Sequence, residues 1–354
     1  MKIEKTNSEI LHTYLGLESL DVTLGNSLYG FNVEYNRQYI HKSKTQQGLV
    51  FFVRPQLNLS RDNISNNRLL YTMLGEDKVN MSTWVKHTLD PRSVPENGSP
   101  VINNKQAFIP IMTNTINTMT GFPDVTFPST TFQPGLFNEA YSIIDGTAKI
   151  YNPVDISTSF FNVSGEPVMN LLHTWGLAST LMVEGSISPY ADYVIENERC
   201  YDTRIFRLVL DQTGRFVTNV AATGPGFIDS VGIGSVFDLN RDQVYNESEN
   251  EHNFKFKMMG VEYKDIILLD EFNTIGEIFN PLLEDGIRDD EMIKVSHVVK
   301  KYFNYLSYPR VNLETFELEY WVENAVSDKV INQLKKIQVD LIKVEEDQII
   351  TTGA

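Results

Sequence analysis

The stretch Tyr201–Thr223, YDTRIFRLVLDQTGRFVTNVAAT, decides the fold class of this chain. Arg204–Asp211 and Arg215–Thr223 are dense in Ile, Val, Leu, Phe and Thr, side chains that suit a pleated, half-buried surface. They flank Asp211-Gln-Thr-Gly214, and a four-residue link containing glycine between two such runs predicts a β-hairpin.

On the C-terminal side, Gly224-Pro-Gly226 breaks the pattern. Short apolar runs then predict strands at Val236–Leu239, Asn253–Gly260 and Ile266–Leu269, with polar Asn240–Asn253 as a loop. On the N-terminal side, Gly48–Leu59 (GLVFFVRPQLNL) reads as a strand whose second half Pro55 places at an edge or bulge. Short amphipathic helices follow at Asn67–Leu74 and Ser82–Leu89. A helix is expected over Ala107–Met119, where Ile109, Ile111, Met112, Ile116 and Met119 share a face and Gly121-Phe-Pro123 stops it.

Asp124–Gly135, full of Thr, Pro and Phe, reads as an extended loop or edge strand. Tyr141–Tyr151 and Asp155–Val163 are strands about a turn at Asn152-Pro153, the second placing Ile156, Thr158 and Phe160 on one face. Ser164-Gly-Glu-Pro167 predicts a helix start with Ser164 as N-cap, and Val168, Leu171, Leu172, Trp175, Leu177 and Leu181 continue at helical spacing. In the last eighty residues the pattern predicts a helix over Asp289–Leu306, a strand over Thr315–Glu323 and a helix over Asp328–Leu341. The expected organisation is an N-terminal arm (1–45), a β-rich core (46–272) and an α+β extension (273–354), with a soft boundary near Asn273. The fold class is α+β, mainly β.

The chain has 354 residues, 42% of them hydrophobic, enough for a substantial core. Its longest apolar runs fall short of the ~20 residues that span a bilayer, and Met1–Lys5 lacks an apolar signal region, so a soluble protein made in the cytoplasm is expected. Cys200 is the only cysteine, which excludes an internal disulfide framework and a multi-cysteine zinc site. A net charge of −16 and a pI near 4.8 argue against nucleic-acid binding by phosphate neutralisation. They are compatible with a conduit for DNA, where a negative lining would keep phosphates from sticking.

Motifs for chemistry are absent. Gly224-x-Gly226 and Gly232-x-Gly234 complete no phosphate loop, and turn glycines account for both. The histidines His12, His41, His87, His173, His252 and His297 are scattered, and His173 on an apolar helix reads as a partly buried core residue. Ser186, Ser230 and Ser235 sit in no nucleophile elbow. The acidic run Glu284–Glu291 lacks the alternating order of a calcium loop and reads as helix capping on a solvated surface. No catalytic, cofactor-binding or metal-ligating residue is assigned, and no enzyme activity or cofactor is expected. Many β segments without evident edge protection must close on themselves or pair with neighbours, and ring formation achieves the second.

Several strings resemble virion structural proteins of large (jumbo) tailed bacteriophages: Phe52–Leu59 (FVRPQLNL), Ala107–Ile111 (AFIPI), Gly121–Asp124 (GFPD), Tyr201–Asp211, Ala222–Gly224, Tyr308–Asn312 (YPRVN) and Glu317–Trp321 (ELEYW). The likeness covers most of the chain after residue 45, and the order of elements is similar to that of contractile-tail tube proteins. The resemblance implies a tail-tube-like β-sheet or barrel core with a packed helix, and subunits forming hexameric rings around a channel for DNA. It further implies a place in the tail or baseplate and partners that are copies of itself and other tail proteins, without specific nucleic-acid or membrane binding. The chain is roughly twice as long as a simple tube subunit, which leaves open the tube itself, a tube initiator in the baseplate and another tail component. The rival readings are a receptor- or carbohydrate-binding tail protein, which needs a shallow aromatic cleft, and a cell-wall hydrolase, which needs two convergent carboxylates or a metal triad.

Overall fold

The computed structural model describes residues 47–75, 80–94, 102–146, 152–237, 251–296, 303 and 306–327. The expected arm over 1–45 and the expected helix over Asp328–Leu341 lie outside them.

The strands are β1 (Gln47–Phe52), β2 (Ile116–Thr120), β3 (Ser129–Thr131), β4 (Ser142–Ile144), β5 (Pro153–Phe161), β6 (Ile205–Leu210), β7 (Val217–Thr223), β8 (Gly226–Val231), β9 (Glu251–Met259), β10 (Val261–Tyr263), β11 (Met292–Lys294), β12 (Tyr308–Val311) and β13 (Leu318–Glu323). The α-helices are α1 (Arg61–Ile64), α2 (Met81–Leu89), α3 (Pro110–Thr115), α4 (Pro167–Val183), α5 (Ala191–Glu196), α6 (Ile267–Phe279) and α7 (Arg288–Glu291).

The hairpin at 204–223 forms as β6 and β7, with Phe206 opposite Ala222 and Leu208 opposite Val220. The Asp211 carboxylate closes its turn by accepting from the N–H groups of Arg215 at 3.0 Å and Phe216 at 3.2 Å. β1 joins β6 and β10 joins β7, giving the sheet order β1-β6-β7-β10. A second sheet has the order β2-β5-β9-β8, a third β11-β13-β12, and among the described residues β3 pairs only with β4. Every pairing is antiparallel. All four sheets are open among the described residues, so the barrel named as one form of the core does not close within one chain.

Two hydrophobic cores share β1. Val50 and Phe52 face the first, with Ile156, Phe160, Phe254 and Phe256 of the second sheet and Val168, Leu172 and Trp175 of α4. Phe51 points the other way, into a core with Phe206, Leu208, Leu268, Phe272, Val311 and Leu318. This division follows from the period-2 alternation of a strand buried on both faces. In the second core Phe272 lies against Phe51 (ring centroids 5.1 Å apart), Phe108 (4.6 Å) and Phe206 (5.5 Å). Asn273, at the expected boundary, sits inside α6. Its side chain donates to the Val311 carbonyl at 2.8 Å and accepts from the Val311 N–H at 2.9 Å. Packing therefore runs across that position.

Several local expectations are corrected. Ile266–Leu269 is not a strand: it leads into α6, where Leu268, Leu269, Phe272, Asn273 and Gly276 are buried at helical spacing. The expected helix over Ala107–Met119 stops at Thr115, and Ile116–Thr120 is β2. Its β-branched Ile116, Thr118 and Thr120 lose rotamer freedom in a helix and fit a strand. Val236 belongs to a 3-10 turn, Gly234–Phe237, not to a strand. Where the helix expected over Asp289–Leu306 begins, only α7 is helical, because Met292–Lys294 pairs with β13, and positions 297–302, 304 and 305 lie outside the described residues. Ser164 caps nothing: α4 starts at Pro167, entered through Gly165 and Glu166, both at positive φ.

Candidate functional site

With no catalytic constellation in the sequence, the surfaces that stay unpartnered in one chain are the site to examine. β5 and β9 pair along their full length, from Pro153 opposite Met259 to Phe161 opposite Glu251. Ile156, Thr158, Phe160, Phe254, Phe256 and Met258 turn inward against the first core. The opposite face is polar, with Thr118, Thr120, Asn253, Lys255, Lys257 and Ser230 exposed. Asp155 and Asp229 stand beside the two lysines on this sheet, so the negative charge of the chain is not concentrated there. The outermost strands are β2 and β8. Apart from a bridge between Thr203 and Gly226, neither has a second strand partner among the described residues, and both carry a bulge, at Ile116/Thr118 and Ile228/Ser230.

Between β2 and β5 the chain leaves the body as the β3–β4 hairpin. Its departure is fixed at Gly121, whose φ of +110° suits glycine and whose missing Cβ makes room for the Asp155 carbonyl. Phe122 packs edge-on against Tyr263, whose hydroxyl donates to the Pro123 carbonyl at 2.6 Å. Beyond this anchor every residue of β3 and β4 is exposed. Phe132 and Tyr141 stack on each other at 4.8 Å. The tip is closed by a bond from Gly135 N–H to the Glu139 carbonyl at 2.8 Å, and the Glu139 carboxylate accepts from Phe137 N–H at 2.7 Å. Leu136 is 94% exposed, Phe137 85%, Phe127 67% and Tyr141 63%. An isolated two-stranded hairpin is marginal in water, and one that shows its apolar side chains to solvent invites a partner.

A family model described as "Putative phage tail tube protein" matches residues 4–336. The chain belongs to this family. Solved structures similar to it include the tube-terminating cap of the anti-feeding prophage, at 11% identity over 44% of this chain and 81% of that one, with a TM-score of 0.27. The sheath/tube terminator of the PVC extracellular contractile injection system in its extended state is 8% identical over 45% and 88% (TM-score 0.26). A chain of the PVC sheath-tube complex is 12% identical over 49% and 93% (TM-score 0.27). No curated protein matches.

The residues weighed for chemistry in this tail tube family member are dispersed. His173 is exposed on α4, not part of the core, because the buried stripe there is Leu171, Leu172, Trp175 and Ala178. His252 is buried on β9, while Cys200 is buried with its Sγ 3.3 Å from Met182 Sδ, and burial pushes its thiol up to about 11. Gly224 and Gly226 lie where β9 passes, and a Cβ on either would strike the Met259 or Lys257 carbonyl. Among the described residues no group of three His, Cys, Asp or Glu side chains could hold a metal ion, and no helix is long and apolar enough to cross a membrane.

In the acidic run, Asp285 accepts from Arg288 at 2.6 Å and Arg310 at 2.8 Å, a tie to β12 that spacing alone does not reveal. Asp289, Asp290 and Glu291 are exposed in the first turn of α7. Reversing all three to lysine is expected to leave the far-UV circular dichroism spectrum unchanged and to shift stability by less than about 1 kcal/mol. Loss of the folded spectrum would show that these side chains hold the C-terminal sheet.

Proposed function

We propose that this chain is a tube-type structural subunit of a phage tail or baseplate, assembling with copies of itself into rings through whose lumen DNA passes. The observation that carries the reading is the exposed apolar surface of the β3–β4 hairpin. At roughly 200 Å² per aromatic side chain, the exposed fractions of Phe127, Phe132, Phe137 and Tyr141 leave about 500 Å² of ring surface in water. With Leu136, Ile143 and Ile144 added, the hairpin alone approaches the roughly 800 Å² that one partner contributes to a stable interface.

The free edges support the same reading, because β2 of one copy set beside β8 of the next would continue the sheet across the boundary and satisfy both rows of backbone groups. A ring built in this way, hexameric in the reading adopted here, turns one face of the sheet inward, and the polar face, where Asp155 and Asp229 offset Lys255 and Lys257, offers a polyanion no basic patch to stick to. The chain has no catalytic role in this proposal; its work is burial between subunits, and its place is the virion.

The test is to purify the full chain and a variant with residues 126–145 replaced by a Gly-Ser linker, then compare them by sedimentation and negative-stain imaging. The full chain is expected to form rings or tubes, and the variant to remain a monomer with unchanged secondary structure. A full chain that stays monomeric at high concentration, or a linker variant that still forms rings, overturns the proposal.

A further inference from the structure

Beside the N-terminus of α3 the surface opens into a cavity of about 280 Å³, walled by Trp84, Ile102, Phe108, Ile109 and Ile111, with Asn114 on its rim. Arg54 lies at its floor with its guanidinium turned to main-chain carbonyls: Nε donates to Thr88, Nη1 to Asn103, Asn104 and Gln106, and Nη2 to His87. The rest of the lining is mostly apolar surface, with Thr88, Asn103, Gln106 and Asn114 as its polar members, so the occupant that suits it is an apolar side chain. An aliphatic cavity of about 150 Å³ suffices for a benzene ring, and this one has room for a phenylalanine ring and part of a leucine.

The same chain presents such a group. Leu136 and Phe137, 94% and 85% exposed, are the most exposed large apolar residues of the hairpin. We propose that the Leu136-Phe137 tip of one copy seats in the Trp84–Ile109–Ile111 cavity of the next. This deepens the assembly reading above and rests on it. Tip and socket are different surfaces, so the contact is heterologous and a joined pair still carries one free tip and one free socket, the arrangement that builds rings or filaments and not closed two-fold dimers. α3 runs directly into β2, so a seated tip lies next to the open sheet edge.

The test uses the full chain carrying Asn138→Cys beside the tip and Asn114→Cys on the socket rim. A disulfide needs the two Cα atoms within roughly 4.4–6.8 Å, and Cys200 is buried and gives no background. Under mild oxidation with copper-phenanthroline the double variant is expected to give a ladder of covalent oligomers on a non-reducing gel, and neither single variant a ladder. In parallel, Phe137→Asp and Asn114→Trp are each expected to weaken self-association about tenfold or more, and a mixture of the two to recover pairs, since each retains one intact half. Association at wild-type strength without a ladder, a crosslink confined within one chain, or an Asn114→Trp variant that assembles normally overturns the socket assignment while leaving ring assembly standing. Absence of self-association in the unaltered chain sinks both.

Discussion

Replacing Arg54 by methionine is expected to destabilise the fold by about 3–5 kcal/mol, the scale seen when one member of a buried charged network is removed. Arg54 is 3% exposed and follows directly on the strand that divides the two cores. Its guanidinium joins three segments: its own, the C-terminal turn of α2 through the carbonyls of His87 and Thr88, and the 103–106 loop. Burial pushes its pKa down to about 9, with the nearby carboxylate of Asp90 opposing the shift. Asp90 is itself fully buried and accepts from Leu59 N–H at 2.8 Å and Tyr190 hydroxyl at 2.9 Å.

Methionine keeps the length of the side chain and removes every donor, so five main-chain carbonyls lose a donor together and the Asp90 carboxylate loses a nearby positive charge. Lysine keeps the charge but offers a point donor in place of a planar fork, and should fall between methionine and arginine. Urea midpoints for the three proteins measure the order, and a methionine variant within about 1 kcal/mol of the parent would remove the clamp from this account. Against a total stability of roughly 5–15 kcal/mol, the expected loss is large enough to unfold a marginal chain.

Phe272→Ala is expected to cost a similar amount, about 3–5 kcal/mol, by opening a cavity where three other rings meet. Phe272 is fully buried, and the core around it draws on residues from Phe51 to Leu318. The variant therefore separates two organisations of the chain. If the segments before and after Asn273 share one core, Trp175 on α4 and Trp321 on β13, read one at a time in tryptophan-to-phenylalanine backgrounds, should report a single unfolding transition that moves together. A shift confined to Trp321 would establish an independently folding C-terminal unit.

The elements legible in the sequence are those whose period runs long enough to separate helix from strand. The β6–β7 hairpin, β5, β9, α2 and α4 lie within a few residues of where alternation and helical spacing put them. The misreadings sit in short apolar runs. Ile-Ile-Leu-Leu at 266–269 is compatible with either period, and only its packing against β7 and β12 makes it helical. Ile116 ends a helical pattern on paper and opens an edge strand in the fold, because β5 offers it a ladder of hydrogen bonds.

The candidate site was least visible of all. The aromatic residues of 124–144 can be counted in the sequence, where Asp124–Gly135 reads as an extended loop or edge strand and Tyr141–Tyr151 as a strand. That they point into water and not into a core depends on what lies against them, which is a property of the whole molecule. The Arg54 clamp is hidden for the same reason: its acceptors are backbone atoms 33 to 52 positions away, and carbonyls have no sequence signature. By itself the sequence determined that strands and helices are mixed along the chain, where the β6–β7 hairpin and α4 lie, and a likeness to tail tube proteins, since local propensity and spacing rest on near neighbours along the chain. Which strands pair, which edges stay open and which apolar side chains remain uncovered were decided only by tertiary structure, because burial and backbone pairing join residues that the chain keeps far apart.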